Sequence, residues 1–252
     1  MPTHDDPEGI ELKTLLSHVS LAGKEVLEVG CGEGRLTMKY FGRAKRVVAV
    51  DPLQNSIKAA RRNAPKRKNL EFRVMRAENL AFPDGSFDVV FFTWSLCCVD
   101  IPAMGRAIEE AWRVLRPNGT LVNLQPSLYQ PFRKGTVPYL IQGEFGTTVD
   151  DERYRQARLA LKYASLIEGK FQLVTEQEFG INTYYDTVDG ALAGFTADCR
   201  EEYKALSRAE KAKVKQAVGL LKTRKGVKVV ENVVLTVLAK THPSSVLASP
   251  RT

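Results

Sequence analysis

Apolar and polar positions follow two rhythms along the first half of the chain. Short runs rich in β-branched and aromatic residues fall at 25–29, 46–50, 70–74, 87–93 and 120–124, and each reads as a strand buried on both faces. Between them the apolar positions return at helical spacing. Residues 34–42 carry Leu36 and Tyr40 one turn apart, and 54–63 form a helix that ends before Pro65. Residues 102–115 place Ile108, Ala111, Trp112 and Leu115 on one face and stop at the turn signal Pro117-Asn118-Gly119. Strand, helix, strand repeated in this way predicts an α/β fold: a Rossmann-like, doubly wound and mostly parallel sheet covered on both faces.

The pattern loosens in the second half. Residues 126–150 hold three prolines and three glycines and read as loop, followed by a polar helix over 151–167. Extended structure is expected at 171–185, a short helix at 187–195 and a basic amphipathic helix at 207–222. A long β-rich run follows at 227–239, and the tail after His242 is expected to fray. The arrangement suggests one domain over 1–252, with the core of the sheet at 20–125, an inserted helical and loop lid at 126–170, and completion of the sheet at 171–240.

Composition narrows the class. In 252 residues, 44% are apolar and 26% charged, enough for one sizeable core and too ordered a balance for wholesale disorder. No apolar run approaches the ~20 residues that span a bilayer, and the first residues, Met1 to Asp6, are too polar and acidic for a secretory signal. Four cysteines, with Cys97 and Cys98 adjacent, do not read as a disulfide framework, so a cytoplasmic, reduced protein with no membrane partner is expected. His4, His18 and His242 are scattered, so no metal site is expected; His18 fits an ordinary amino-terminal helix.

The net charge of +8 is concentrated. Residues 35–76 hold 13 lysines and arginines against Asp51 and Glu71, and 204–228 hold 9 against Glu210. Such asymmetry suits an acidic ligand or nucleic acid, although solvated helix faces have the same composition. Lys66-Arg67-Lys68 precedes the strand at 70–74 and therefore sits at its amino end. Open α/β sheets bind ligands at the carboxyl ends.

One segment carries the chemistry. Val26 to Gly34 is an apolar strand running into a glycine-rich turn, Gly30-Cys31-Gly32-Glu33-Gly34, that opens a helix. One strand over, Asp51 ends the second run, placed to accept both hydroxyls of a ribose. The position of the third glycine of a dinucleotide fingerprint is Arg35, and Glu28 stands two residues before Gly30. A pyrophosphate would be repelled by that carboxylate, whereas an ammonium group would be attracted. The pattern suits a nucleoside joined to an amino acid.

The sequence resembles the class I S-adenosylmethionine-dependent methyltransferases, of the type 11-like group that includes ubiquinone-biosynthesis and small-molecule enzymes. The resemblance runs from about 20 to 125 and rests on Glu28–Gly34, Asp51, Met75–Asp88 and Leu115–Leu121. It implies that Glu28, Gly30, Cys31, Gly32 and Gly34 wrap the methionine part of the cofactor. Asp51 would hold the ribose, Pro52 and Leu53 would lie against adenine, and Ala77, Glu78 and Thr93 would complete the site. S-adenosylhomocysteine would be the product. The family often has an acid where Arg76 stands, so Glu78 or the Ala77 backbone is expected to read the adenine edge. Many relatives have a histidine pair where this chain has Cys97-Cys98.

Methyl transfer from a sulfonium is an in-line displacement that needs positioning more than a base, and no residue stands out as catalytic. Trp94 and Ser95, just past the fourth strand, with Tyr184 and Tyr185, are the candidates for an acceptor pocket. The leading expectation is a small-molecule acceptor, reacting at O, N or C under the lid. Arg224, Lys225 and Lys228 would favour an anionic one if the last strand runs antiparallel. An RNA-modifying methyltransferase using the basic patches is the alternative, and a degenerate cofactor-binding protein the third reading. The acceptor's identity and the oligomeric state are not written in these patterns.

Overall fold

The computed structural model describes residues 4–127, 149–198, 203–204 and 206–241. In chain order the elements are β1 (His4–Asp5), α1 (Ile10–His18), β2 (Glu25–Val29), α2 (Thr37–Tyr40), β3 (Arg46–Asp51), α3 (Gln54–Asn63), β4 (Leu70–Val74) and β5 (Phe87–Thr93). There follow α4 (Ile101–Val114), β6 (Leu115–Pro126), α5 (Val149–Leu166), β7 (Phe171–Tyr185), α6 (Val188–Asp198), α7 (Arg208–Gly219), β8 (Lys222–Thr223) and β9 (Gly226–Lys240). These elements form two compact units. The larger holds Leu12–Pro126, Arg153–Glu178 and the described residues from Val234 on. The smaller holds the described residues within 4–11, 149–152 and 179–233, together with Ser127.

In the larger unit the strand order is β7-β9-β6-β5-β2-β3-β4. Pairing is parallel from β6 to β4, in registers such as Glu28 opposite Ala49 and Val29 opposite Val50. The last long strand reverses direction: Lys240 donates to the Leu115 carbonyl at the start of β6, whereas the Ser127 N–H, just past its end, bonds the Asn232 carbonyl. β9 is therefore antiparallel to β6. The β-branched runs fill the centre because both faces are covered, and Val47, Val48 and Val50 are fully buried.

Helix ends shift where the chain has other work. The helix expected at 34–42 begins only at Thr37, because residues 30–36 form the turn, and it closes in a single 3-10 turn at Phe41–Arg43. β6 starts at Leu115 rather than Thr120, with Asn118 absorbing the bend at φ +63°. The expected loop at 126–150 and the frayed tail after His242 fall largely outside the described residues, as do 128–148 of the expected lid. The remainder of that stretch is mostly α5. It buries Ala157, Leu161 and Ala164 in the same cluster as Met104, Ala107 and Ile108 of α4, so it belongs to the layer that covers the sheet. Gln125 of β6 donates its amide to the Tyr154 carbonyl of α5 (2.9 Å).

In the smaller unit, β1 pairs antiparallel with the end of β7, and β8 forms a short hairpin with β9. Helices α6 and α7 close on a separate core of Ala191, Val214, Val218 and Val227. A reciprocal cap of Ser207 and Glu210 starts α7.

Candidate functional site

The carboxyl ends of β2, β3 and β5 frame a cavity of about 530 Å³ in the larger unit. Its geometry starts at the turn after β2. The Gly30 and Cys31 N–H groups both bond the Val50 carbonyl (2.7 and 3.0 Å), which pulls the chain sharply across the end of β3. Gly30 sits at φ +79°, and a Cβ added there would overlap the Ser95 side chain, so only glycine satisfies both backbone and packing. At Gly32 an added Cβ meets no protein atom within 4 Å, which leaves the space above the turn free for a ligand.

Asp51 is 7% exposed and already oriented: one carboxylate oxygen accepts the Gly32 N–H and the other the Leu53 N–H, each at 2.9 Å. Each oxygen keeps a lone pair for a further donor. Pro52 and Leu53 supply an apolar wall, and Leu53 is 63% exposed. Ala77 and Glu78, just past β4, also line the cavity. Arg76 pairs with Glu78 there and stands 4.0 Å from Asp100. Burial raises the Glu78 carboxyl, but the guanidinium and Glu78's own backbone outweigh it and hold the group below its usual range.

Glu28 has a different role from its neighbours. It is 1% exposed and does not line the cavity. Its carboxylate accepts hydroxyl protons from Thr37 (2.5 Å), Tyr40 (2.9 Å) and Thr93 (3.1 Å). Burial pushes its pKa up, and the three hydroxyls offset that only in part. Thr93 is thus turned toward Glu28 beneath the turn. Cys31 is likewise buried, its thiol bonded to the Gly32 carbonyl and its pKa raised by burial and by Glu28 and Asp51. Gly34, at φ +84°, packs against Phe72 and Met38 and lies outside the lining.

Of the expected acceptor residues, Trp94 and Ser95 line the cavity. Trp94 holds a left-handed backbone, φ +58°, with its N–H on the Leu124 carbonyl (2.7 Å); such strain in a non-glycine residue is tolerated where surrounding structure fixes it. Ser95 donates to the Val29 carbonyl (2.5 Å), tying β5's end to the glycine turn. Tyr184 and Tyr185 belong to the smaller unit, where the Tyr184 hydroxyl donates to Glu8 (2.9 Å) and Tyr185 packs against Gly194. The structure adds residues that sequence reasoning did not place in the site: Ser56, Met75, Cys98, Val99 and Asp100. Their one available signal was position, just beyond strands already assigned to the rim. Among the described residues no group of three or more His, Cys, Asp or Glu side chains could hold a metal ion. No helix among them is long and apolar enough to cross a membrane.

An open glycine turn, a pre-held carboxylate one strand away and an apolar shelf beside it fit the amino-acid, ribose and base parts of one adenosine-containing sulfonium. Residues 27–123 match the model of a methyltransferase domain. The chain is 27% identical over 183 residues to the ubiquinone/menaquinone biosynthesis C-methyltransferase UbiE of Vibrio cholerae, covering 68% of this chain and 70% of that one. A Dictyostelium discoideum protein provisionally named a methyltransferase is 26% identical over 158 residues, and the match spans 62% of this chain but only 56% of that protein. A crystal structure from Bacillus halodurans shares the fold with a TM-score of 0.59 at 19% identity, over 93% of this chain and all of the other. In its matched residues and its fold, the chain is thus similar to the class I S-adenosylmethionine-dependent methyltransferases.

Proposed function

We propose that the protein methylates a small-molecule acceptor at an O, N or C atom. The carrying observation is the cavity itself: about 530 Å³, within the range of small-ligand sites, on the rim of the sheet away from the densest cations. Lys66, Arg67 and Lys68 precede β4 at its amino end, so a phosphate chain gripped there would not be presented to the crevice. This placement favours a small acceptor over RNA as substrate. The name of the Vibrio relative, a C-methyltransferase of ubiquinone/menaquinone biosynthesis, points the same way.

In this reading Asp51 holds the ribose, Gly30 and Gly32 present backbone to the amino-acid end, and Pro52 and Leu53 cover adenine. Ala77 and Glu78 read its edge. The bound cofactor supplies a methyl group already activated by the positive sulfonium. The chain's own residues then have to orient and to exclude water. Trp94 offers an aromatic face at the cavity for an acceptor or a cationic centre. Glu28 and Cys31 act beneath the turn: Glu28 gathers Thr37, Tyr40 and Thr93 and so fixes the helix and β5 against β2.

Radiolabelled methyl groups traced from the cofactor into fractionated cell extract test the acceptor class. Label in a low-mass fraction is expected; label confined to RNA would overturn the reading. Asp51→Ala should weaken binding of S-adenosylhomocysteine by more than tenfold in calorimetry, and an unchanged affinity would show that this carboxylate does not hold the sugar.

A further inference from the structure

The opposite edge of the parallel sheet carries a second feature. Lys39 lies in the last turn of α2, Arg43 ends the 3-10 turn before β3, Arg62 lies in the last turn of α3, and Lys66, Arg67 and Lys68 lead into β4. All six side chains are exposed, and none forms an ion pair with another described residue. The acids at this edge are already committed: Glu25 to Lys45 and Arg46, Glu71 to Arg46 and Arg73, Asp88 to Arg116. Two of the segments that carry these cations are also tied together. Asn69 donates its amide to the Phe41 and Ala44 carbonyls (3.2 and 3.4 Å), and its own carbonyl takes the Val47 N–H (2.7 Å). The loop bearing Lys66–Lys68 is thereby pinned to the turn bearing Arg43.

We propose that this amino-terminal rim is a docking surface for the phosphate backbone of a nucleic acid, separate from the methyl-transfer crevice and independent of which acceptor that crevice takes. A row of uncompensated cations releases counterions when it meets closely spaced phosphates. The rim's chemistry sets the mode of binding. Among the described residues none of the large exposed apolar side chains lies on it; the nearest in sequence, Leu53 and Val74, are at the carboxyl ends of β3 and β4. With Phe41 of the turn half-buried, the described part of the rim offers no fully exposed apolar side chain to wedge into a bilayer and no fully exposed aromatic face on which a base would stack. Binding would follow charge spacing rather than sequence.

The test uses the full chain, with fluorescence anisotropy of a labelled DNA duplex and of a labelled single-stranded RNA across a salt series. Affinity for both should fall steeply with salt. The triple variant Arg43→Glu, Lys66→Glu, Lys68→Glu should bind at least tenfold more weakly at low salt, and its logarithmic salt slope on duplex should be shallower by about 2 to 3. Its affinity for S-adenosylhomocysteine should equal that of the wild type, which shows that the fold and crevice survive. Nucleic-acid binding unchanged by the triple reversal, or absent from the wild type, would overturn the proposal. So would tighter binding to polyglutamate, or to vesicles of equal parts phosphatidylcholine and phosphatidylglycerol, than to either nucleic acid.

Discussion

The two edges of one parallel sheet carry opposite chemistry. At the carboxyl edge, charge is held or paired: Asp51 takes two backbone N–H groups, Glu28 beneath it takes three hydroxyls, and Arg76 pairs with Glu78. At the amino edge, Lys39, Arg43 and Lys66–Lys68 stand in solvent without an ionic partner among the described residues. The difference follows from strand direction. Parallel strands all deliver their outgoing turns to one rim, so a recess forms where β2, β3 and β5 end. The returning segments at the other rim need only be soluble. Left-handed backbone occurs at both edges, at Gly30, Gly32, Gly34 and Trp94 on the first and at Gly23, Gly85 and Asn118 on the second, but only on the first do such residues line the recess.

That contrast breaks most sharply with matched glycine substitutions. Gly30→Ala forces a side chain into Ser95 while holding a left-handed backbone, and should cost about 3 kcal/mol or more in urea unfolding. It should abolish cofactor binding as well. A fully stable Gly30→Ala variant would show that the turn can relax without loss.

A smaller effect separates the two acids of the carboxyl edge. Burial raises the Glu28 pKa above its ordinary 4.5, so the folded state binds that proton more tightly than the unfolded chain does. The resulting stabilisation is complete below the unfolded value and is lost as the pH rises through the folded one. Glu28→Gln removes the titration. The wild type should therefore lose stability relative to Glu28→Gln as the pH climbs from acidic to neutral, by at most about 1.4 kcal/mol per pH unit. Denaturant titrations whose difference stays flat across that window would contradict a raised pKa.

The smallest effect belongs to the amino edge. Gly42 lies in the 3-10 turn, its added Cβ would meet nothing within 4 Å, and its backbone is not left-handed. Gly42→Ala should raise stability by about 0.5 kcal/mol through the unfolded chain and leave S-adenosylhomocysteine affinity unchanged. A loss comparable to that of Gly30→Ala would erase the distinction between the two edges.

The strands at 25–29, 46–50 and 87–93 were legible because double burial leaves a nearly continuous apolar signature, whereas 70–74, at the edge of the sheet, was legible from the alternation of Leu70, Phe72 and Val74 with Glu71 and Arg73. The glycine turn and Asp51 were legible because each directly ends an apolar strand run, which places both on one rim of the sheet. The partners of Glu28 were not. Thr37, Tyr40 and Thr93 lie 9, 12 and 65 residues away, and nothing local marks three hydroxyls that converge only after folding. The expectation that Glu28 meets an ammonium rested on charge and motif position, without knowledge of those hydroxyls. The division into two units was equally hidden, since β7 and β9 are continuous runs that each pass from one unit to the other.

The placement of Trp94 has a practical result. The chain has two tryptophans, and the other, Trp112, is tied through its indole N–H to the Lys170 carbonyl and lies under the Lys240 ammonium, 4.2 Å from the ring centroid. Trp112 is no part of the crevice lining, so a ligand entering there disturbs one indole and spares the other. Intrinsic emission thus gives this protein an optical gauge of occupancy that needs no label, with Trp112 as its internal reference.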